Sequence, residues 1–438
     1  MSFRPILLLV AGVVLTAGPL AAAEVHMSLE NTIADALAAG PGLQAIGSSA
    51  KAAHREAKAA NRRRWGTLDG VASYQQLQDD VIVRPISSEL LAGGFASLPF
   101  DDQQWHWGVV AEVPLYLGGK LSNGIKISKL SAEKSIALLE GTRWQVRFNI
   151  TSLYAAAQSL DAIDTALARQ LSALEATNSR LELMVREGKR PDIDRLKVVE
   201  ELEGARADRA GVQANRRKAG AMLLSLMGRD PAGEIAVDPL SDRLPELTTT
   251  PSDLRASLDE TSMVRQARLA LEQAESSVKI ATSEYIPKVV ARGNYLMNDG
   301  RSLDRSYNTW AVSVGMVVPL IHGGARPEHR AAAKEHRQAA EYLLVKAHLD
   351  TAAHLEDALA ELGAARAAVE AAEARVAAGA EAARIEQIRY DTGAGTVEDL
   401  LRARAREEGA HSDLARAHAH ALTAGARINS IVERKAVQ

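Results

Sequence analysis

Hydrophobic and polar positions alternate with a period of two in four short stretches of the chain, while two very long stretches run almost free of proline and part of the second carries small residues nearly all round. Trp310, Val312, Val314, Met316 and Val318 fall on one side of an extended segment, and Ala311, Ser313, Gly315 and Val317 on the other. That is the pattern of a strand whose two faces meet different surroundings. Trp105, Trp107, Val109, Ala111 and Val113 alternate in the same way with His106, Gly108, Val110 and Glu112. Partner strands are predicted near Leu68 to Gln75 and Val289 to Met297, giving hairpins over 66–117 and 288–322. The face carrying Trp105, Trp107, Val109, Trp310, Val312 and Val314, with Tyr74 and Tyr295 on the partner strands, is expected to meet lipid as in a transmembrane barrel strand. An ordinary half-buried hairpin produces the same alternation.

Each hairpin ends in a Gly-Gly pair. Beyond it, Lys120 to Met184 and Ala325 to Arg389 contain no proline except Pro327, which sits in a permissive first turn. Each stretch is predicted to be one helix, and about 65 residues at a rise of 1.5 Å span roughly 100 Å. Helices of that length need partners. Ala367, Ala368, Ala371, Ala372, Ala374, Ala377 and Ala378 let neighbours approach closely. Sustained heptads of Leu or Ile are missing, so a wall of helices around a lumen fits better than a long coiled coil.

The two sets of elements are copies. Val113-Pro114-Leu115-Tyr116-Leu117-Gly118-Gly119 recurs as Val318-Pro319-Leu320-Ile321-His322-Gly323-Gly324, a shift of 205 positions from Pro114 to Pro319. The same shift carries Trp105 onto Trp310, Gly188 onto Gly393, Asp194 onto Asp399 and Leu196 onto Leu401. Upstream the shift is 221, aligning Ile33 with Leu254 and Tyr74 with Tyr295, so 16 extra residues (221 less 205) lie between Tyr74 and Trp105. A register held over this distance argues for duplication of one unit. The expected organisation is a first repeat over 24–229, with a helical hairpin at 120–229, a linker at 230–252 rich in Pro, Asp and Thr, and a second repeat over 253–438, with a helical hairpin at 325–434.

Composition narrows the class. Formal net charge is -3 with 24% charged residues, which leaves no basic excess for nucleic acid. Arg4, the apolar run from Ile6 to Ala17 and the small residues Ala21 to Ala23 form a signal peptide over 1–23, expected to be cleaved after about Ala23. That run is shorter than the roughly 20 apolar residues of a spanning helix. Absence of cysteine excludes disulfides, thiol chemistry, Cys-based zinc sites and a lipidated N-terminal Cys. No later segment has 18 uninterrupted apolar residues, so an exported chain of this kind is periplasmic, secreted or a β-barrel protein. Four strands cannot close a barrel, and an open edge in hydrocarbon leaves backbone groups unpaired, so several chains would have to pool their strands.

Candidate chemistry is sparse. No HExxH, GxSxG or P-loop pattern occurs, and Gly393-Ala394-Gly395 lacks the third glycine of a dinucleotide fingerprint. His322-Gly323-Gly324 resembles an oxyanion loop, but its twin Leu117-Gly118-Gly119 has no histidine, so the shared element is a turn. His329 with His336, and His418 with His420, read as solvated surface in preference to metal ligands. Neither enzymatic activity nor a cofactor is expected.

The run Arg389-Tyr390-Asp391-Thr392-Gly393, followed by Thr396, Asp399-Leu400-Leu401 and Ala403, resembles the TolC outer-membrane factor family. So do the paired Val-Pro-Leu…Gly-Gly strand ends, Leu223-Leu224-Ser225-Leu226-Met227-Gly228 closing the first half, and Tyr285-Ile286-Pro287-Lys288-Val289 entering a strand. The resemblance covers essentially the whole mature chain. It implies a mixed fold: long α-helices forming a periplasmic helical barrel, and four β-strands per chain contributed to a 12-stranded outer-membrane barrel in a homotrimer. It also implies a passive duct, a periplasmic adaptor protein docked on the helical tip, and an inner-membrane transporter as the energy source. The turns at Gly188 and Gly393 are then the periplasmic tip, Asp399 matches an aspartate at the constriction, and Asp194 and Tyr390 match residues tying neighbouring helices together.

Two departures bear on that gate. The best-known member of the family has a second aspartate where this chain has Arg402, and an arginine where it has Gly395. The plain reading of Asp194 and Asp399 is that each favours the positive end of a helix. Turn chemistry is independent of the resemblance: Gly188 and Gly393 can end helices, Pro191 cannot continue one, and Thr396 can cap the next. Two other readings of the chain stand beside the duct, a soluble periplasmic helical scaffold and an adaptor protein. Neither needs duplicated amphipathic hairpins with aromatic ends.

Overall fold

The period-two segments form one four-stranded antiparallel sheet. The structure is a computed structural model that describes residues 25–86, 88–92, 94, 98–241, 243–301, 306–321 and 323–437. The segment 1–23, read as a signal peptide, and His322 lie outside the described residues. In chain order the described elements are β1 (Val25–Met27), α1 (Leu29–Ala39), α2 (Pro41–Arg62), β2 (Thr67–Ile82), α3 (Ser88–Ala92), β3 (Phe100–Tyr116), α4 (Lys120–Arg186) and α5 (Asp192–Leu226). After these come β4 (Ile235–Val237), α6 (Pro251–Ala256), α7 (Ser262–Ser283), β5 (Lys288–Gly300), β6 (Tyr307–Val317), α8 (Ala325–Asp391) and α9 (Val397–Val432). Helix, two strands and two helices thus follow one another in each half. α4 and α8 have 67 residues each, about 100 Å of helix.

Two compact units are present, and neither coincides with a repeat. One combines the described residues up to Pro41 with Val146–Glu246 and Ala360–Arg427; the other combines Gly42–Gln145, Leu247–Leu359 and Ile428–Gln438. Each unit therefore draws on both halves of the sequence.

In the first unit, Met27, Ala36, Ile150, Tyr154, Leu223 and Met227 share a core with Val237. The segment read as linker is not plain connection here, since β4 lies within it and pairs in parallel with β1, Val25 opposite Ile235. Tyr154 fixes that pair to α4. Its hydroxyl donates to Met27 O at 2.8 Å and accepts from the Asp238 N–H at 2.8 Å. Burial pushes the Tyr154 hydroxyl up to about 12.

In the second unit the sheet order is β2-β3-β5-β6, which leaves β2 and β6 as edges. The last residues are held to the other end of the linker segment: Leu247 bridges Val437, and Thr248 N–H donates to Ala436 O at 2.9 Å. Arg255 grips Glu356 with two hydrogen bonds of 2.6 and 3.0 Å.

The stripe that α8 buries runs Leu355, Ala358, Leu362, Ala365, Val369, Ala372. Its spacing alternates three and four, the rhythm of a coiled-coil seam, with alanine at every second position. One seam position repeats as Leu355, Leu362 and Val369 and the other as alanine, so this stripe is a heptad seam in which only one of the two positions is large. Small side chains let helix axes come closer than Leu-on-Leu packing permits.

Candidate functional site

Two regions carry the chemistry that the sequence singles out, the faces of the sheet and the turns between the long helices. Strand register decides the faces, because directly opposed residues of antiparallel strands share a side. Tyr74 stands opposite Trp105, Val109 opposite Tyr295, Tyr295 opposite Trp310, Gly293 opposite Val312 and Ala291 opposite Val314. Trp107 opposes Ala72 and Met297. All eight strand residues marked as lipid-facing therefore lie on one face, and all are exposed, Trp310 and Val312 at 74%. The other face carries Ser73, Gln75, Gln104, His106, Asn294, Asn298 and Ser313, and Arg292 bonds Glu112 across it at 2.8 Å. One sheet thus has an apolar face with aromatic residues and a polar face. Gly108 allows the two hairpins to meet, since a Cβ there would come within 2.1 Å of Tyr295 O.

β2 and β3 run well past the alternation that marks them, to Ile82 and back from Phe100. The additional 16 residues of the first half fall in this extension and its connection. Leu77-Gln78-Asp79-Asp80 is polar and non-alternating, which hides the strand from a periodicity argument.

Where α4 and α8 end, Gly188 and Gly393 take φ of +70° and +76°. Lys189 N–H reaches Met184 O at 2.8 Å and Gly188 N–H reaches Val185 O at 3.0 Å; in the second copy Ala394 N–H reaches Arg389 O at 2.8 Å and Gly393 N–H reaches Tyr390 O at 3.1 Å. This pairing closes each helix in a Schellman turn, for which the left-handed glycine is suited. Space around both glycines is open, so the dihedral selects the residue and crowding does not.

The two turns diverge where the next helix begins. Thr396 Oγ1 accepts from the Asp399 N–H at 3.1 Å and donates to Asp399 Oδ2 at 2.7 Å, closing a capping box around the first turn of α9. The Thr396 hydroxyl, helped by Arg402 and Arg389, holds the Asp399 carboxyl below its ordinary value. Pro191 occupies the matching place before α5 and offers no cap, so Asp194 turns instead to Arg190 at 3.9 Å. Arg402, one of the departures, pairs with Glu398 at 2.8 Å on its own helix. Gly395, the other, lies so close to the end of α8 that a Cβ would come 3.1 Å from Arg389 Cβ.

Tyr390 is 6% exposed in a core with Leu171, Leu174, Leu181, Val198, Val397 and Leu400. Its ring lies under the Arg190 guanidinium, 5.0 Å from carbon to centroid, and its buried hydroxyl has no hydrogen-bond partner. Burial pushes this hydroxyl above its ordinary value. Sequence reasoning missed the ties between the two turns. Lys197 reaches Glu398 at 2.8 Å and Arg180 reaches Asp391 at 3.4 Å. Each joins positions about two hundred residues apart, with no local pattern to announce it. Among the described residues no group of acidic or histidine side chains is arranged to hold a metal ion, and no helix is long and apolar enough to cross a membrane.

A two-faced sheet continuous in sequence with two pairs of very long helices is the architecture of outer-membrane channel subunits. The model of the outer membrane efflux protein family matches residues 32–229 and 254–432, one match in each half, and the chain belongs to that family. Its fold is shared with the outer membrane protein VceC of Vibrio cholerae, at a TM-score of 0.78 and 19% identity over 93% of this chain and 96% of that one. The open state of the Neisseria gonorrhoeae MtrE outer membrane channel has a TM-score of 0.75 and 19% identity over 93% and 89% of the two chains, and CusC 0.80 and 16% over 92% and 91%. In sequence the chain is similar to protein CyaE of Bordetella pertussis, 29% identical over 245 residues. That match covers 55% of this chain and spans half the length of the relative.

Proposed function

We propose that three copies of this chain form a passive duct that carries cargo across the periplasm and the outer membrane, as a subunit of a tripartite efflux or type I secretion system. One observation carries the reading. The sheet has a continuous apolar face, from Tyr74 and Trp105 through Tyr295 to Trp310, and two unpaired edges, β2 and β6. Such a sheet is stable in hydrocarbon only if edge meets edge, and three copies joined β6 to β2 make one 12-stranded barrel. Trp105, Trp107, Val109, Trp310, Val312, Val314, Tyr74 and Tyr295 then face lipid, and the polar face lines the passage.

The repeated order of elements and the double family match support descent from a duplicated unit. The chain enters the outer membrane of a Gram-negative bacterium after cleavage of its signal peptide. The turns at Gly188 and Gly393 form the periplasmic tip, where a periplasmic adaptor docks and links the duct to an inner-membrane transporter that supplies the energy. Three copies of Asp399 form an acidic ring there, and Tyr390 and Asp194, both beside Arg190, hold the helices around it. The chain itself catalyses nothing.

The mass of the detergent-solubilised mature protein tests the assembly. The duct requires three chains per particle, and a particle of one chain contradicts it.

A further inference from the structure

The β2–β3 hairpin does not continue straight out of the sheet. Gln76 pairs with Gln103 and Val81 with Asp101, so Leu77, Gln78, Asp79 and Asp80 stand opposite the single residue Asp102. A bulge of this size bends the strand that carries it. Beyond the bend, Val83 N–H bonds Pro99 O at 2.8 Å, and Val81 to Val83 lie against the sheet. Gln104 Nε2 donates to Val81 O at 2.8 Å, and the Tyr307 hydroxyl donates to Val83 O at 2.7 Å. Tyr307 belongs to β6, the far edge, so the end of a hairpin that starts at one edge reaches the other.

Register shows which face it crosses. Tyr307 opposes Asn298, and Asn298 opposes His106, two residues along β3 from Gln104. These four are on the polar face. Coverage agrees with the bonding: Asn298 is 0% exposed, Gln104 4% and Val83 0%, whereas Trp105 at the same level on the apolar face is 48% exposed. Below the strap the polar side chains bond one another, His106 Nδ1 to Asn298 Oδ1 at 2.9 Å and Asn298 Nδ2 to Thr309 Oγ1 at 3.0 Å. Among the described residues the second hairpin has no comparable bulge.

We propose that the bent end of the first hairpin is an inward strap that narrows the outer mouth of the duct. It rests on the barrel reading, which makes the polar face the passage. Three straps converge in the trimer, each presenting the exposed residues Asp79, Asp80 and Arg84 to whatever leaves. The strap limits conductance within the barrel, and it belongs to the first hairpin among the described residues.

The natural absence of cysteine makes the test clean. Arg84→Cys trimers are placed in a planar bilayer and treated with a bulky methanethiosulfonate reagent, with labelling verified by mass. The strap predicts up to three successive downward steps in current, one per subunit. Labelled trimers whose current is unchanged overturn it. Tyr307→Phe removes only the hydroxyl that holds Val83 O, and its trimers are expected to conduct more than the parent; conductance equal to the parent's also overturns the proposal. A parent trimer that never conducts counts against the duct itself, which separates the two failures.

Discussion

Asp399 and Thr396 hold each other twice, through the Thr396 hydroxyl that donates to the carboxylate at 2.7 Å and accepts from the Asp399 backbone at 3.1 Å. Asp399 is therefore a capping residue within its own chain, independent of any role in the proposed trimer. Thr396→Ala is expected to cost about 1 kcal/mol at the start of α9. Faster amide hydrogen exchange over Val397 to Asp399 measures it, and exchange equal to the parent's contradicts it. Pro191→Ala, at the uncapped copy, is expected to leave the start of α5 unchanged.

The same pair sets a pH dependence. Asp399 has a lowered folded value, so its contribution is fully present above the unfolded carboxylate value and is lost as pH falls through the folded one. Opening of the first turn of α9 is thus expected only below about pH 4. Exchange that rises between pH 7 and pH 5 contradicts this assignment.

Tyr390 contributes its ring and not its hydroxyl, which is buried without a partner. Tyr390→Phe is expected to leave the melting temperature unchanged or raise it, since an unpaired buried polar atom is removed. Tyr390→Ala empties the core it shares with Leu181 and Val198, at a cost of about 3 kcal/mol or more. Thermal melting of the purified assembly distinguishes the two, and equal losses in both variants contradict the assignment.

Lys197 and Glu398 tie α5 to α9 on an exposed surface, so charge reversal acts mainly by repulsion. Glu398→Lys is expected to loosen the turns between the long helices and raise single-channel conductance at low salt, and adding Lys197→Glu is expected to bring the value part of the way back, because Arg402 still faces a like charge. A double variant no closer to the parent than the single one shows that the two residues do not act as a pair.

Gly108 stands where β3 meets β5, and a Cβ there would overlap Tyr295 O. Gly108→Ala is expected to prevent the two hairpins from joining and to abolish the oligomer on unheated gels. Gly70, on β2 with open space around it, tolerates alanine by the same criterion. An intact oligomer in the Gly108 variant contradicts the close approach.

What the sequence made legible follows from local physics. Alternation exposed the four strands because their two faces meet different surroundings, and long spans without proline exposed α4 and α8 because nothing in them could stop a helix. Gly188 and Gly393 announced the turns through the dihedral they must adopt. The remainder depends on distant partners. The β1–β4 pair is three residues long and joins segments over two hundred positions apart. The strap is formed by a polar run that bends away from its own pattern, and Lys197 gains its role only once Glu398 is beside it.

Planar-bilayer conductance of the purified trimer tests the central claim most directly. Discrete, uniform steps are expected from a particle of three chains, carried by the polar face of a closed barrel. A particle of three chains that inserts and never conducts, or a chain that stays a water-soluble monomer, contradicts it.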